Sequence, residues 1–251
     1  MSDFQVTFLL LGISFISLLL GGRIVRQRRT PLELRAIGAY QQIPVWIDEA
    51  VESAQAPHLS FGSAALGQTS TLTLLANAQT AYYLFRRLSF QKRAPLITLS
   101  DPLSLAIASD TLRKAYLARQ NLEAFRPNAV VWYPAGEKSL TFAAGAAAHS
   151  ADLGSGHHLL LGQFGMEAIL FAESSRRRRQ KMLLGSTQLE GQAIAYISSP
   201  APLIGEEMFV GGAYFNPKSS LAMGSLISLD VLRWAVILGI LAVTLFNLIT
   251  E

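Results

Sequence analysis

Pro95-Leu96-Ile97-Thr98-Leu99-Ser100-Asp101-Pro102 decides the fold: an uncharged apolar run of strand length, an Asp-Pro break, then a helical pattern over 103–124. A short apolar run bounded by Pro and Asp reads as a strand covered on both faces. The same rhythm extends outward in both directions. Upstream, Pro57-His58-Leu59-Ser60-Phe61-Gly62 is a brief strand, followed by a helical pattern over 69–87 that ends in basic residues suited to a helix C-terminus. Downstream, strands are expected at 129–133, 158–161, 181–185 and 193–197, with helices at 139–148 and 167–174 between them. Short buried strands alternating with helices give an α/β fold, a Rossmann-like three-layer parallel sheet of about six strands.

The ends of the chain have a different character. Residues 4–20 (FQVTFLLLGISFISLLL) are uncharged and lead into Gly21-Gly22, then Arg23, Arg26, Arg28 and Arg29. As a helix rising 1.5 Å per residue, about 17–20 apolar residues cross a hydrocarbon core roughly 30 Å thick. A cleaved signal peptide carries its positive charge before the apolar run, the reverse of this order. A core helix of a soluble protein would not be apolar on every face.

Residues 234–249 (WAVILGILAVTLFNLI) form a second apolar run, and counting back to 229 gives about 31 Å of helix. Arg233 snorkels to the headgroups in this reading, and Trp234 sits at the interface. The arginines at 23–29, held on the cytoplasmic side, are expected to touch lipid headgroups. The expected protein is therefore a two-pass protein of the cytoplasmic membrane, flanked by one transmembrane helix at each end, with both termini outside and the α/β domain inside. Its segments are the N-terminal helix at 1–22, a basic juxtamembrane stretch with helices at 23–57 (one starting at Thr30-Pro31, one opened by Pro44 over 45–54), the α/β domain at 58–218, and an amphipathic lead-in plus second span at 219–251. Small residues in the spans, Gly12, Ser14 and Ser17 with Gly239 and Ala242, suit packing of the two helices or a homo-oligomer.

Composition narrows the chemistry. The 251 residues contain no cysteine, which removes disulfides, thiolate metal sites and cysteine nucleophiles. The net charge of +4 is accounted for entirely by the arginines at 23, 26, 28 and 29. The excess is a topology signal, and no nucleic-acid partner is expected. Membrane lipid and a membrane-complex partner remain.

Ligands of parallel α/β sheets bind beyond the carboxyl ends of the strands. Gly62-Ser63-Ala64-Ala65-Leu66-Gly67-Gln68-Thr69 has the glycine spacing and hydroxyl of a phosphate loop, but Gln68 stands where the lysine that reaches the β/γ-phosphates would be. The alternative is a tight turn that lets helix pack on sheet. The ligand candidates are Gly62, Gly67, Thr69, Asp101, Gly162, Gly165, Glu167, Glu206 and Glu207. Glu167 also suits a helix start, and adjacent Glu206 and Glu207 point in different directions on a helix. Arg176–Arg179 reads either as a solvated loop or as a contact to anionic lipid. No metal-ligand spacing and no nucleophile elbow is present, no cofactor is implied, and the balance leans away from an enzyme. The favoured function is a membrane-anchored cytoplasmic module for ligand or partner binding or scaffolding. The alternative is an anchored enzyme or nucleotide-binding protein using 62–69.

Gly162-x-Phe164-Gly165-x-Glu167-Ala168, the run 203–209, Ala213-Tyr214 and Leu229-Asp230-x-Leu232-Arg233-Trp234 resemble an uncharacterised bacterial family of membrane proteins with a domain of unknown function. That resemblance lies in the C-terminal part of the chain and implies no activity.

Overall fold

The computed structural model describes residues 3–27, 33–91 and 93–250. They divide into two compact units, one of residues 35–215 and one of residues up to 34 together with 216 onward.

The larger unit is a parallel sheet of five strands covered by helices. In chain order these are α2 (Gly38–Glu52), β1 (His58–Gly62), α3 (Thr71–Leu88), β2 (Leu96–Leu99), α4 (Pro102–Leu117), β3 (Val130–Trp132), α5 (Leu140–Asp152), β4 (His157–Gln163), α6 (Ala168–Arg177), β5 (Lys181–Ser186), α7 (Leu189–Ser198) and α8 (Gly211–Phe215). The strand order is β3-β2-β1-β4-β5. The chain winds outward through β2 and β3, then returns to the far side of β1 to lay down β4 and β5. Right-handed crossovers in opposite directions put helices on both faces. Phe142, Ala146, Leu160, Phe164, Phe171 and Leu184 form the core where α5, α6 and α7 cover one of them. β1 is fully buried, as the central strand of such a sheet must be.

The expected sixth strand at 193–197 is a helix instead. Within α7 the buried residues are Gly191 and Ala195, while Tyr196 and Ile197 are 74% and 85% exposed. That four-residue period belongs to a helix, and a five-residue apolar run by itself does not separate the two states. Residue 37 onward also differs from expectation. α2 starts at Gly38 with Pro44 inside it, because Tyr40, Ile43, Ile47 and Ala50 form one buried face that overrides the proline. The helix start expected at Thr30 lies partly outside the described residues, and residues 33–37 are not helical. The helix expected to reach 124 stops at Leu117, and Gln120 turns the chain with a positive φ of 55°.

The smaller unit contains α1 (Asp3–Gln27) and α9 (Ser220–Thr250). The expected lead-in and second span are one continuous helix. The side chains of α1 before Gly12 lie outside the described residues. Among the described residues one helix, Ser220–Leu245, is long and apolar enough to cross a membrane, with mean hydropathy 2.1. α1 and α9 run antiparallel, and their crossing is made by residues the sequence did not single out. A Cβ on Gly21 would stand 2.4 Å from the Gly224 carbonyl oxygen, and one on Gly224 would stand 2.8 Å from Gly22 Cα. Only glycine permits that approach. One turn away, the Ser17 and Ser228 hydroxyls are 2.9 Å apart, and in the other direction Arg26 Nε donates to Ser220 Oγ at 3.5 Å. Of the small residues expected at this contact, Ser17 takes part, whereas Gly12 and Gly239 meet nothing within 4 Å. Arg23 and Arg26 are exposed at the end of α1, and Arg28 and Arg29 lie outside the described residues.

Candidate functional site

β1 and β4 are neighbours in space, but their crossovers leave in opposite directions, so a crevice opens beyond their carboxyl ends. Two adjoining cavities of about 450 and 380 Å³ occupy it and meet at Gln188. Thr69, Thr73, Gln163 and Gln192 line the first; Ser63, Lys138, Ser139, Gly165 and Glu167 line the second.

The polar groups here fall into two sets. Some are spent on the fold: Ser186 Oγ donates to the Phe164 carbonyl at 2.6 Å and accepts from Phe164 N at 3.1 Å and Gln188 N at 3.0 Å. Others belong to residues that line the space. Gln163 Oε1 is buried with no donor. Glu167 is buried, and its Oε1 accepts from Gly165 N at 2.9 Å. Opposite it, Lys138 and Ser139 both have left-handed backbone, with φ of 46° and 57°. Two consecutive non-glycine residues in that region store strain, of the kind that collects at binding sites.

The sequence candidates separate accordingly. Thr69, Gly165 and Glu167 line the crevice. Gly62 and Gly162 are where β1 and β4 approach each other: a Cβ on Gly62 would stand 2.2 Å from the Gln163 oxygen, and one on Gly162 would stand 2.0 Å from the Phe61 oxygen. The pairing register shifts between Ser60 and Gly62, and Gly62 turns at φ 63°. Gly67 has φ 79° and open space around it.

Asp101 caps α4, its Oδ2 accepting from Ser104 N and Oγ, each at 2.7 Å. Glu207 pairs with Arg35 and accepts from Ile204 N at 3.3 Å, so it fastens the turn after α7. Glu206 is exposed nearby. Neither is a lining residue of the crevice. Sequence reasoning missed Gln163, Lys138, Ser139 and Gln188. Gln163 stands between the candidate glycines Gly162 and Gly165, but the strain at 138–139 leaves no compositional signal.

The 62–69 loop uses its own amides. Ser63 N donates to the Gln163 carbonyl at 2.9 Å, Ala64 N to the Phe61 carbonyl at 3.3 Å, Ala65 N to Ser70 Oγ at 2.9 Å and Gln68 N to Thr71 Oγ1 at 3.1 Å. A phosphate cradle needs such N–H groups to converge outward.

Two further cavities lie elsewhere. A cleft of about 780 Å³ at the amino ends of β4 and β5 is lined by Glu49, Gln55, His157, Gln180 and Lys181. Within it, Glu49 bonds both Lys181 and, at 3.0 Å, His157, while Glu52, Arg178 and Arg179 are exposed lining residues. Lys181 first and His157 second hold the Glu49 carboxyl below its usual range. An apolar groove of about 550 Å³ between α6 and α7 is lined by Ile169, Met182, Ile194 and Ile197. Of the basic run 176–179, Arg176 lines this groove, Arg176 and Arg177 pair with Glu173, and the exposed Arg178 and Arg179 line the 780 Å³ cleft instead.

Behind the crevice, a polar chain crosses the middle of the sheet. His58 Nδ1 and His158 Nδ1 are 3.0 Å apart, His58 Nε2 is 2.8 Å from Thr98 Oγ1, and that hydroxyl donates to Ser60 Oγ at 2.9 Å. Burial lowers both imidazoles, His58 well below its usual range and His158 to about 4. Among the described residues no cluster of three or more metal-ligating side chains occurs.

The strand order and the crevice define a doubly wound parallel α/β domain, joined in one chain to a pair of long helices. The chain belongs to a family described as a domain of unknown function, DUF6754, whose model matches residues 3–251. No curated protein and no solved structure matches it.

Proposed function

We propose that the protein is a two-pass membrane-anchored module whose α/β domain, on the cytoplasmic side, binds a small polar ligand in the β1/β4 crevice. The observation that carries the binding reading is Gln163 Oε1, a buried acceptor without a donor on a residue that lines that crevice. A buried polar group left unpaired costs about 1–3 kcal/mol, and a ligand that donates to it recovers that cost. Glu167 beside it and Lys138 opposite favour a ligand with several donors and one acceptor, such as a polyol or an amine. Support for the anchor comes from the exposed apolar side chains of α9, Val236, Leu238, Ile240, Leu241 and Val243 among them, and from Phe15, Leu19 and Leu20 on α1. The antiparallel crossing fits two spans with both termini on one side. The arginines at 23–29 fit the cytoplasmic flank, and no nucleic-acid partner is proposed.

A panel of sugars, amines and nucleotides tested by thermal shift on the full chain in lipid nanodiscs examines this reading. At a hundredfold excess over Kd, a ligand adds about 2.7 kcal/mol, or roughly 5–10 °C. Gln163→Leu is expected to abolish that shift while leaving the ligand-free midpoint within about 2 °C, since the lost acceptor was unpaired. Stabilisation by a nucleotide, lost in Gly67→Val, would favour the alternative reading of 62–69. The internal use of that loop's amides argues against it.

A further inference from the structure

Gly165 lies in the turn between β4 and α6 and lines the smaller crevice cavity, of about 380 Å³, together with Glu167 and Gln188. Its backbone is not left-handed, so conformation does not call for glycine here. What calls for it is space: a Cβ at this position would stand 2.7 Å from Gln188 Oε1 and 3.0 Å from Glu167 Oε2. The lack of a side chain leaves a small cradle walled by two oxygen acceptors.

Neither acceptor is filled from within the protein. Glu167 is 4% exposed, yet its carboxylate receives a single hydrogen bond, from Gly165 N to Oε1. The dipole of α6, which Glu167 precedes, favours the charge but brings no donor to Oε2. Among the described residues no cation pairs with Glu167, and no donor reaches Gln188 Oε1. Gln163 Oε1 is a third acceptor without a donor in the same crevice. A buried carboxylate without a cation is costly, and a primary ammonium supplies both the opposite charge and three donors.

The rest of the ligand follows from the neighbouring groups. Lys138 lines the same cavity and forms no ion pair among the described residues, so an anionic group on the ligand also has a partner. No charged residue lines the adjoining cavity of about 450 Å³, where Thr69, Thr73, Gln163 and Gln192 present hydroxyls and amides. We propose that the crevice binds a free amino acid with an uncharged polar side chain. Its ammonium sits in the Gly165 cradle on Glu167 and Gln188, its carboxylate pairs with Lys138, and its side chain enters the uncharged cavity. This deepens the ligand reading given above and rests on it. A polyol would leave the charges of Glu167 and Lys138 both unmatched, and a metal cation would be repelled by Lys138.

The test is thermal shift on the full chain in lipid nanodiscs, with L-glutamine, L-serine, N-acetyl-L-glutamine, glucose and calcium chloride as probes. L-Glutamine or L-serine, at a hundredfold excess over Kd, is expected to raise the midpoint by roughly 5–10 °C. N-acetyl-L-glutamine, which has no ammonium, is expected to give no shift. Gly165→Ala fills the cradle by displacing only the ends of two flexible side chains. It is expected to keep the ligand-free midpoint within about 2 °C and to lose the shift. Glu167→Gln retains an acceptor for Gly165 N, removes the charge, and is expected to weaken binding roughly tenfold or more. Either variant carries the test if the other misfolds. A shift from glucose that Gln163→Leu removes, with none from either amino acid, would overturn the amino-acid assignment and leave the crevice reading standing. A shift from calcium alone, or an amino-acid shift that survives both variants, would overturn the assignment as well. No shift from any probe would overturn both readings.

Discussion

Gly162→Ala is expected to lower the thermal midpoint of the full chain by about 10 °C, corresponding to a loss of roughly 3 kcal/mol. The added methyl has no space: its carbon would stand 2.0 Å from the Phe61 carbonyl oxygen and 2.5 Å from the carbonyl carbon. Those atoms are backbone of the central strand, paired on both sides, so relief requires separating β1 from β4. The crevice lies at that seam, so the same change also spreads its floor. Gly67→Ala is the matched control. Gly67 has a positive φ of 79°, but an added methyl there would meet nothing within 4 Å, so only backbone strain applies, about 1–2 kcal/mol. Thermal unfolding followed by circular dichroism in nanodiscs separates the two. Equal losses from both variants would mean that turn conformation, and not strand approach, fixes this glycine.

Acid is expected to destabilise the domain between pH 6.5 and 5, before most carboxylates titrate. His58 and His158 share a hydrogen bond through their Nδ1 atoms, which one proton satisfies and a second disrupts. Burial is the leading cause that lowers both. The His158 and His149 rings also oppose charge on His58. On His158 the neighbouring Gln180 side chain acts the other way, and His157 opposes charge. Unfolded histidine binds a proton near pH 6.5, whereas His158 in the fold waits until about pH 4. Below pH 6.5 the unfolded chain therefore holds more protons than the native one, and stability falls as pH falls. Each histidine contributes up to about 1.4 kcal/mol per pH unit, about half that at pH 6.5 and close to it by pH 5. Urea denaturation of the full chain at pH 7, 6 and 5 reads the slope. His58→Gln with His158→Gln is expected to flatten it, whatever its effect on absolute stability. An unchanged slope in that variant would place the acid sensitivity elsewhere.

Much of the architecture was legible because buried parallel strands have a simple signature. Leu96–Leu99 and His157–Gln163 are apolar runs stopped by Asp-Pro or glycine, and each is a strand. The pattern failed where an equally short run belonged to a helix. Ala193 to Ile197 is indistinguishable by composition from a strand until the exposure of Tyr196 and Ile197 is known. Pro44 likewise read as a helix start because the stripe from Tyr40 to Ala50 that surrounds it only acquires meaning when packed.

The crevice was legible in part. The rule for carboxyl ends led to Thr69, Gly165 and Glu167, which line it. It also led to Asp101, and the adjacent carboxylates at 206–207 suggested Glu207, but these two carboxylates hold a helix start and a turn. A carboxylate that caps and one that faces a ligand are the same letter in a sequence. Lys138 and Ser139 reach the crevice from the far side through an unusual backbone, which no residue pattern announces. The Gly21–Gly224 crossing was hidden for a similar reason, since it pairs positions about two hundred residues apart.

The proposed anchor and its sidedness are tested most directly by cysteine labelling in intact cells. Because the native chain offers no thiol, Ser2→Cys and Asn128→Cys each give a single reporter, the second in an exposed turn of the α/β domain. An impermeant maleimide is predicted to label position 2 and to reach position 128 only after the membrane is opened. Labelling at 128 in intact cells, or recovery of the chain in the supernatant without detergent, would contradict a two-pass anchor that holds the domain in the cytoplasm.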